Sequence, residues 1–444
     1  RRRWSFRNRR GPIARHAPHV LGLQEALADQ IEYLSEALPE YRWLGVDRGL
    51  NGGTGLSEYT PIFYRHAELV PIESGNFWLS STPEGPRGSG RRRNVSRIVT
   101  WAQFHHLETG LRFYVFNTHL TLRRGPRQLE SVRMITPSGP WESRRLPGSG
   151  AGPSPDRIAI GSEGILGIIT EAWMRIQARP VFRASAGVTF QTFASGAEAA
   201  RRIVQTKMWP ANCRLLDPVE AAAAAGMDGA NALLLLGFES AEVPQDDLIR
   251  HAVDIAREAG GSIDDADIRI ADSSGRSFVG DAGRQGSVGE WRNSFLNAPY
   301  MKNHQAGLGF VTETMETAVT WDKWPTLDQA VRTALQDALD RVCGGGTVSC
   351  RFTHVYTDGP APYFTFEGMG RLGAELEMYA EIKQAASDAI IAAGGTITHH
   401  HAVGRLHRPW YDQQRPELFA HALKAIKRTL DPNGVLNPGL LIDV

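Results

Sequence analysis

The sequence predicts an α+β fold with antiparallel sheets, carried by two segments of different character. Strand-like apolar runs and stripes of helical spacing both recur along the chain. Residues 1–133 hold 20 Arg, no Lys and 12 acidic residues, a net +8; residues 134–444 hold 29 basic and 36 acidic residues, a net −7, and the two sum to the +1 of the whole. All six lysines follow that change. With 42% of its 444 residues hydrophobic and 22% charged, the chain has the balance of a globular protein of two or three domains, which excludes a disordered or collagen-like polymer.

In the first segment, strands are expected at Val20–Leu23, Pro61–Tyr64, Ile98–Phe104 and Leu111–Thr118. Leu27, Ile31, Leu34 and Leu38 repeat at helical spacing, so a helix follows the first strand. A boundary is expected near Ser131–Thr136, and Pro137–Pro155, rich in Gly, Pro and Ser, reads as loop. Beyond it, strands are expected at Ile165–Ile176, Leu233–Phe238, Thr347–Tyr356 and Tyr363–Phe366. Helices are expected at Leu327–Val342, striped by Val331, Leu335, Leu339 and Val342, at Leu372–Ile391, and at Pro416–Leu430, which opens on a proline in its first turn.

No run approaches the roughly 20 apolar residues that span a bilayer, and the Arg-rich start lacks the apolar core of a signal peptide. A soluble, cytoplasmic protein is expected. Cys213, Cys343 and Cys350 have no metal-ligand spacing and read as thiols buried by packing.

Pro18 to Glu25, Pro61-Ile62-Phe63-Tyr64, Phe77-Trp78-Leu79-Ser80 and Phe116-Asn117-Thr118-His119-Leu120 stand in the order found in the endonuclease/exonuclease/phosphatase family, which residues 10–133 resemble. The resemblance implies a two-sheet sandwich that holds a divalent metal. Glu25 offers a hard carboxylate oxygen to Mg²⁺, and His119 could hydrogen-bond a phosphoryl oxygen. The plainer alternatives are a solvated acid at a helix start and a loop residue at a strand end. The family's Asn on its first strand, Gly-Asp-x-Asn motif and closing Asp-His pair are absent, so a Mg-dependent phosphoesterase is expected to be inactive.

From about Val132 onward the chain resembles the FAD-linked oxidase family, type 4, in its alkylglycerone-phosphate synthase branch. The match runs through Thr136-Pro137, Glu142 to Pro147, and Gly161-Ser162-Glu163-Gly164-Ile165-Leu166-Gly167-Ile168-Ile169. Glycines lacking Cβ let backbone amides approach a flat ring or a diphosphate, although a tight hairpin in any fold could use the same residues. Arg214 beside an apolar strand could bind phosphate or carboxylate, or form a plain salt bridge to Asp217. Trp291-Arg292 through Pro299-Tyr300-Met301-Lys302, then Glu313 to Trp321, follow the family's substrate-domain order. Lys302 stands where the family usually has Arg; it keeps the charge and loses the two-pronged geometry, which puts a phosphate handle in doubt.

Tyr363 in Pro362-Tyr363-Phe364 matches the family's catalytic tyrosine. A phenol that removes a carbon-bound proton needs a site favouring phenolate, and nearby cations would help. His399, His400 and His401 are the candidates, with first and third on one face if they lie on a strand. In isolation the triplet reads first as a polar surface turn, then as a flavin site and last as a metal site, since a strand cannot aim three successive rings at one ion and no Cys, Asp or Glu is spaced nearby. The resemblance implies that the histidines and Asn437, in the closing Asn437-Pro438-Gly439 loop, line an FAD site.

The domains expected are thus a nuclease-like fragment over 1–133, the end of a PCMH-type FAD-binding domain over 134–180, and an antiparallel-sheet cap domain over 181–444. The implied reaction exchanges acyl for alkyl on dihydroxyacetone phosphate in ether-lipid synthesis, or oxidises a related small substrate. The first half of the flavin domain is missing and no G-x-G-x-x-G follows a strand, so FAD is expected to bind weakly or not at all, and exposed core to favour self-association. The partners expected are a small-molecule or lipid-phosphate substrate, a membrane surface, and a second copy of the chain. The Arg-rich start and Arg91-Arg92-Arg93 have little interleaved aromatic surface, so nucleic acid is not expected.

Overall fold

The computed structural model describes residues 17–24, 26–47, 58–78, 98–118, 129–145, 152–270, 289–291, 293–294 and 304–443. The chain divides between Arg127 and Gln128 into two compact units. Both are mixed α/β structures whose paired strands run antiparallel.

In the first unit, β1 (Val20–Gly22), β3 (Ile62–Arg65) and β2 (Tyr41–Leu44) form one sheet in that order, and β4 (Leu69–Trp78), β5 (Ile98–His106) and β6 (Arg112–Thr118) form another. Alternation along β3 explains their layering. Ile62 and Tyr64 enter a core with Leu69, Ala102 and Phe104, whereas Phe63 on the opposite face packs on Ile31 and Leu34 of α1 (Ala28–Ala37). Asn117, buried on β6, ties the strands together: its Nδ2 donates to Leu23 O (2.7 Å) and Pro61 O (2.8 Å), and its Oδ1 accepts from Gln24 Nε2 (2.6 Å).

The second unit opens with a three-stranded sheet, β8 (Gly139–Glu142), β7 (Leu129–Thr136) and β9 (Ile168–Met174). Part of the stretch read as loop is therefore a hairpin. Thr136 faces Gly139, which turns at φ +128°, and Thr136 Oγ1 donates to Gly139 O (2.7 Å), so Pro and Ser at 137–138 close a tight turn. Residues 131–136, where a boundary was expected, lie inside β7. Ala159 at the end of α2 (Pro155–Ala159), Ile165 and Leu166 precede β9 and sit in a core with Val132, Met134, Val403, Leu423, Leu441 and Ile442. That core brings the end of the chain back to this sheet.

The larger sheet has seven strands in the order β13 (Arg269–Ile270), β10 (Phe182–Phe190), β12 (Ala232–Ser240), β11 (Asn212–Leu216), β15 (Thr347–Val355), β16 (Pro360–Met369) and β14 (Phe310–Glu316). β12 is apolar from Ala232 to Phe238 because both of its faces are covered there. Leu234 and Leu236 join the main core under α3 (Phe193–Gln205), α5 (Asp246–Glu258), α6 (Trp324–Cys343) and α7 (Glu375–Ala392); Leu233 and Leu235 pack on α4 (Pro218–Ala225) and Trp291. Each fully buried leucine contributes about 1.5–3 kcal/mol. α8 (Arg408–Gln414) and α9 (Glu417–Leu430) close the chain. Among the described residues no helix is long and apolar enough to cross a membrane. Cys350 is buried and Cys213 and Cys343 are partly so, all as free thiols; burial pushes Cys213 up to about 12.

Candidate active site

The site is built at the end of the seven-stranded sheet. Antiparallel register places Glu316, last residue of β14, opposite Tyr363 on β16, and Tyr363 opposite Arg351 on β15. Three side chains from distant sequence thereby become neighbours across strands.

Glu316 is buried, its side chain 2% exposed. Its Oε1 accepts from Thr398 Oγ1 (2.8 Å) and from the backbone N–H groups of His399 (3.1 Å), His400 (2.7 Å) and His401. Its Oε2 lies against His400 Nδ1. The triplet is thus a bent loop wrapped on a carboxylate and not a strand; successive N–H groups converge, as in the concave backbone turns that bind anions. The acidic partner that is absent nearby in sequence arrives from β14. Burial opposes the charge on Glu316, but the hydrogen bonds from His400 and the His401 N–H hold its carboxyl well below the usual range.

Around the loop, His399 Nδ1 lies 3.2 Å from His400 Nδ1, and His399 Nε2 lies 2.9 Å from the Tyr356 hydroxyl. His354 of β15 stacks parallel to Tyr356, with ring centroids 6.3 Å apart, and meets His399 at 5.1 Å and His400 at 5.3 Å. Burial, reinforced by His399 and His400, pushes His354 down to about 4. Burial also lowers His399 and His401. These contacts draw the rings of His354, Tyr356, His399 and His400 into one cluster.

Tyr363 stands beside this cluster, its ring 6.4 Å from His400 and 5.7 Å from His401. Its hydroxyl donates to Thr314 Oγ1 (3.1 Å). Burial pushes the phenol above its ordinary value, and Arg351, whose guanidinium sits 4.2 Å from the ring centroid, pulls the other way. Arg351 is thus the cation that acts on the phenol, while burial disfavours charge on His399 and His401.

Residues 161–164 meet the same loop one step further on. Glu163, at φ +50°, accepts from Val403 N–H (2.7 Å) and Gly404 N–H (2.9 Å), and its carbonyl accepts from Asn437 Nδ2. Gly161 takes φ +84° with nothing within 4 Å of where a Cβ would stand, so its backbone is open to a flat group. Ser162 turns inward, its hydroxyl on Ala159 O (2.7 Å). Gly167 packs directly on Met134, while Ile168 and Ile169 are half exposed. Beside Asn437 lies an open cleft of about 210 Å³ lined by Ile165, Lys427, Asn437, Pro438, Gly439 and Ile442. The buried Lys427–Asp431 pair shapes its rim: Lys427 Nζ donates to Leu436 O (2.7 Å), and Asp431 accepts from Leu436 N–H (2.8 Å).

Arg214 lies over Trp291, 4.6 Å from the ring centroid. Asp217, offered above as its salt-bridge partner, instead pairs with Arg332 (2.9 Å) and caps α4 through Glu220 N–H (2.8 Å). Lys302, Glu25, His119, Arg292 and the arginines at 91–93 and in the first ten residues lie outside the described residues. Sequence reading missed Glu316, Arg351, His354 and Tyr356. Arg351 is the one Arg, Lys, Asp or Glu on β15 and so offered a signal; Glu316 shares β14 with Glu313, and nothing local marks it or Tyr356.

Residues 179–441, more than half of the chain, match the family described as FAD linked oxidases, C-terminal domain. The chain is 27% identical over 321 residues to alkyldihydroxyacetonephosphate synthase of Dictyostelium discoideum, covering 70% of this chain and 52% of that protein. A solved alkyldihydroxyacetonephosphate synthase aligns with a TM-score of 0.51 and 23% identity, covering 70% of this chain and 53% of that one; at this identity the likeness speaks to the fold alone. The chain spans about half the length of the curated relatives it matches. An endonuclease/exonuclease/phosphatase from Bacteroides vulgatus aligns at 35% identity over 26% of this chain and 45% of that one, with a TM-score of 0.24, on which no argument rests.

Proposed function

The chain belongs to the FAD-linked oxidase family through its C-terminal domain, and from that premise we propose that it is a flavin-dependent enzyme of the alkylglycerone-phosphate synthase type. The observation that supports this best is the assembly of Tyr363 and the His399–His401 loop around one buried carboxylate. The reaction proposed is exchange of acyl for alkyl on dihydroxyacetone phosphate, or oxidation of a related small substrate.

Gly161, Ser162, Glu163, Gly164 and Asn437 would hold the ring side of FAD, where the open backbone at Gly161 and the crosslinks from Glu163 leave a prepared surface. The fit is partial, since among the described residues no glycine-rich loop after a strand offers itself to the diphosphate. Bound there, flavin would supply an electron-accepting ring to the substrate carbon. Tyr363 would act at its hydroxyl. Its raised value makes the phenolate scarce but strongly basic once formed, and Arg351 steadies the negative charge. Neutral His399 and His401 exchange protons without adding charge to the site. Arg214 and Lys302 are proposed to meet the substrate's anionic group. A small molecule or lipid phosphate is the partner proposed, in a cytoplasmic setting with contact to a membrane surface. Self-association is part of the same reading, supported by the cross-strand pair Ile135 and Ile168, 48% and 50% exposed. The domains proposed are 1–133, 134–180 and 181–444. Among the described residues nothing favours the Mg-dependent phosphoesterase.

FAD titration followed by the flavin band at about 450 nm tests the proposal. Weak binding that perturbs the band, is lowered by Asn437→Ala, and supports turnover reduced about 10²–10⁴-fold by Tyr363→Phe is the expected result. A band unchanged at saturating FAD would sink it.

A further inference from the structure

We propose that Glu316 is a positioning residue that fixes the protons of the whole histidine loop: it keeps hydrogen on Nδ1 of His400, which makes Nδ1 of His399 an acceptor and Nε2–H of His399 the donor to Tyr356. The argument is one of satisfied partners. Glu316 Oε2 is buried and receives no hydrogen bond from any other described group, while His400 Nδ1 lies against it as an ion-pair contact. A buried carboxylate oxygen left facing a lone pair is strongly disfavoured, so the proton lies on that nitrogen. His400 Nδ1 is also 3.2 Å from His399 Nδ1, and two lone pairs cannot face each other there; His399 must accept. A neutral imidazole that accepts at Nδ1 carries its hydrogen at Nε2, the atom 2.9 Å from the Tyr356 hydroxyl. One carboxylate thus dictates two hydrogen positions, Nδ1–H of His400 and Nε2–H of His399.

The other oxygen makes this separable from scaffolding. Oε1 alone takes Thr398 Oγ1 and the three N–H groups, so the loop hangs on one oxygen and the proton arrangement on the other. Facing the cluster are His354 from β15, Tyr356 just beyond its end, Tyr363 from β16, and Glu313 from β14, with the charges of Arg214 and Lys383 felt from β11 and α7. None of them reaches Glu316 Oε2 with a hydrogen bond. Burial keeps His354 and His399 lowered, which matches a neutral His399.

The inference deepens the reading of the preceding subsection and, for its catalytic meaning, rests on it; the proton arrangement is read in the full chain without flavin, so the two fail separately. The test is long-range ¹H–¹⁵N correlation on ¹⁵N-histidine-labelled protein at about pH 8, above the ordinary imidazole value, with His399→Gln and His400→Gln assigning the signals. Wild type is expected to show His400 protonated on Nδ1 and His399 on Nε2. In Glu316→Gln the carbonyl oxygen keeps the loop while the amide donates to His400 Nδ1, so the His400 pattern inverts and the melting curve stays cooperative. An unprotonated Nδ1 on His400 in wild type, or an unchanged His400 in a folded Glu316→Gln, overturns the proposal. If Glu316→Gln does not fold, the wild-type pattern decides alone, and Tyr356→Phe should leave His400 unchanged while its loss of the acceptor shifts the His399 Nε2 signal.

Discussion

The Arg351 guanidinium lies 4.2 Å from the centre of the Tyr363 ring, while the Tyr363 hydroxyl is tied to Thr314 at 3.1 Å. Charge and hydrogen bond act at opposite ends of one phenol, and burial works against both. Arg351→Gln removes the charge that lowers the phenol, so its ionisation moves to higher pH. The difference in phenolate absorbance between Arg351→Gln and wild type, each referenced to its Tyr363→Phe partner, measures the shift. A movement to lower pH would contradict the assigned sign.

Acid sensitivity follows from the histidines. The folded chain holds His354 at about 4, against about 6.5 for an unperturbed imidazole, so the unfolded state binds the proton first. Stability is therefore full above about pH 6.5 and falls as pH drops toward 4, the direction also given by the lowered His399 and His401. Melting temperature against pH should slope over this window, and His354→Gln should flatten it.

Local signals made much of the fold legible. The stripe Val331, Leu335, Leu339 places α6 almost to its ends, because a helix buried on one face records that face in its spacing. Phe182–Phe190 and Phe193–Gln205 are missing from that reading although both are periodic: Ala184, Ala186, Val188 and Phe190 alternate on one face of the strand, and Ala197, Ala200, Ile203 and Val204 share the buried face of the helix, where alanines take the place of larger apolar residues. Tyr363 and the three histidines were found by resemblance and do meet. What holds them was invisible, since Glu316 is more than 80 residues from the loop it organises and its partners are mostly backbone N–H groups, which every sequence has.

Asp217 anchors the sheet to two helices. Its Oδ2 accepts from Cys350 N–H (2.6 Å) and Arg332, and its Oδ1 caps α4. Asp217→Ala strips a cap and leaves Arg332 with Asp328 as its remaining ion partner among the described residues. Urea unfolding should register a loss of roughly 3 kcal/mol, and a change below about 1 kcal/mol would place the pair among weak surface bridges.

Gly167 and Gly161 separate space from strain. A Cβ on Gly167 would stand 2.4 Å from Met134 Cγ and 2.8 Å from Ile135 O, and the carbonyl cannot swing away without breaking the β7–β9 pairing. Gly161→Ala meets nothing within 4 Å and suffers only from φ +84°. Gly167→Ala should lower stability by about 1–3 kcal/mol and Gly161→Ala by about 1–2 kcal/mol. Equal melting temperatures for wild type and Gly167→Ala would refute the packing at β7.

Glu316 also sets an order of events in time. A chain made only as far as α7 would already own the sheet and Tyr363, yet the carboxylate at the end of β14 would sit in a closing interior with no donors to meet it. Contacts this remote in sequence form late, after the local ones have closed the loops between them. The histidine loop would then be the final piece to arrive, and a half-made product would carry a buried carboxylate still waiting for its donors.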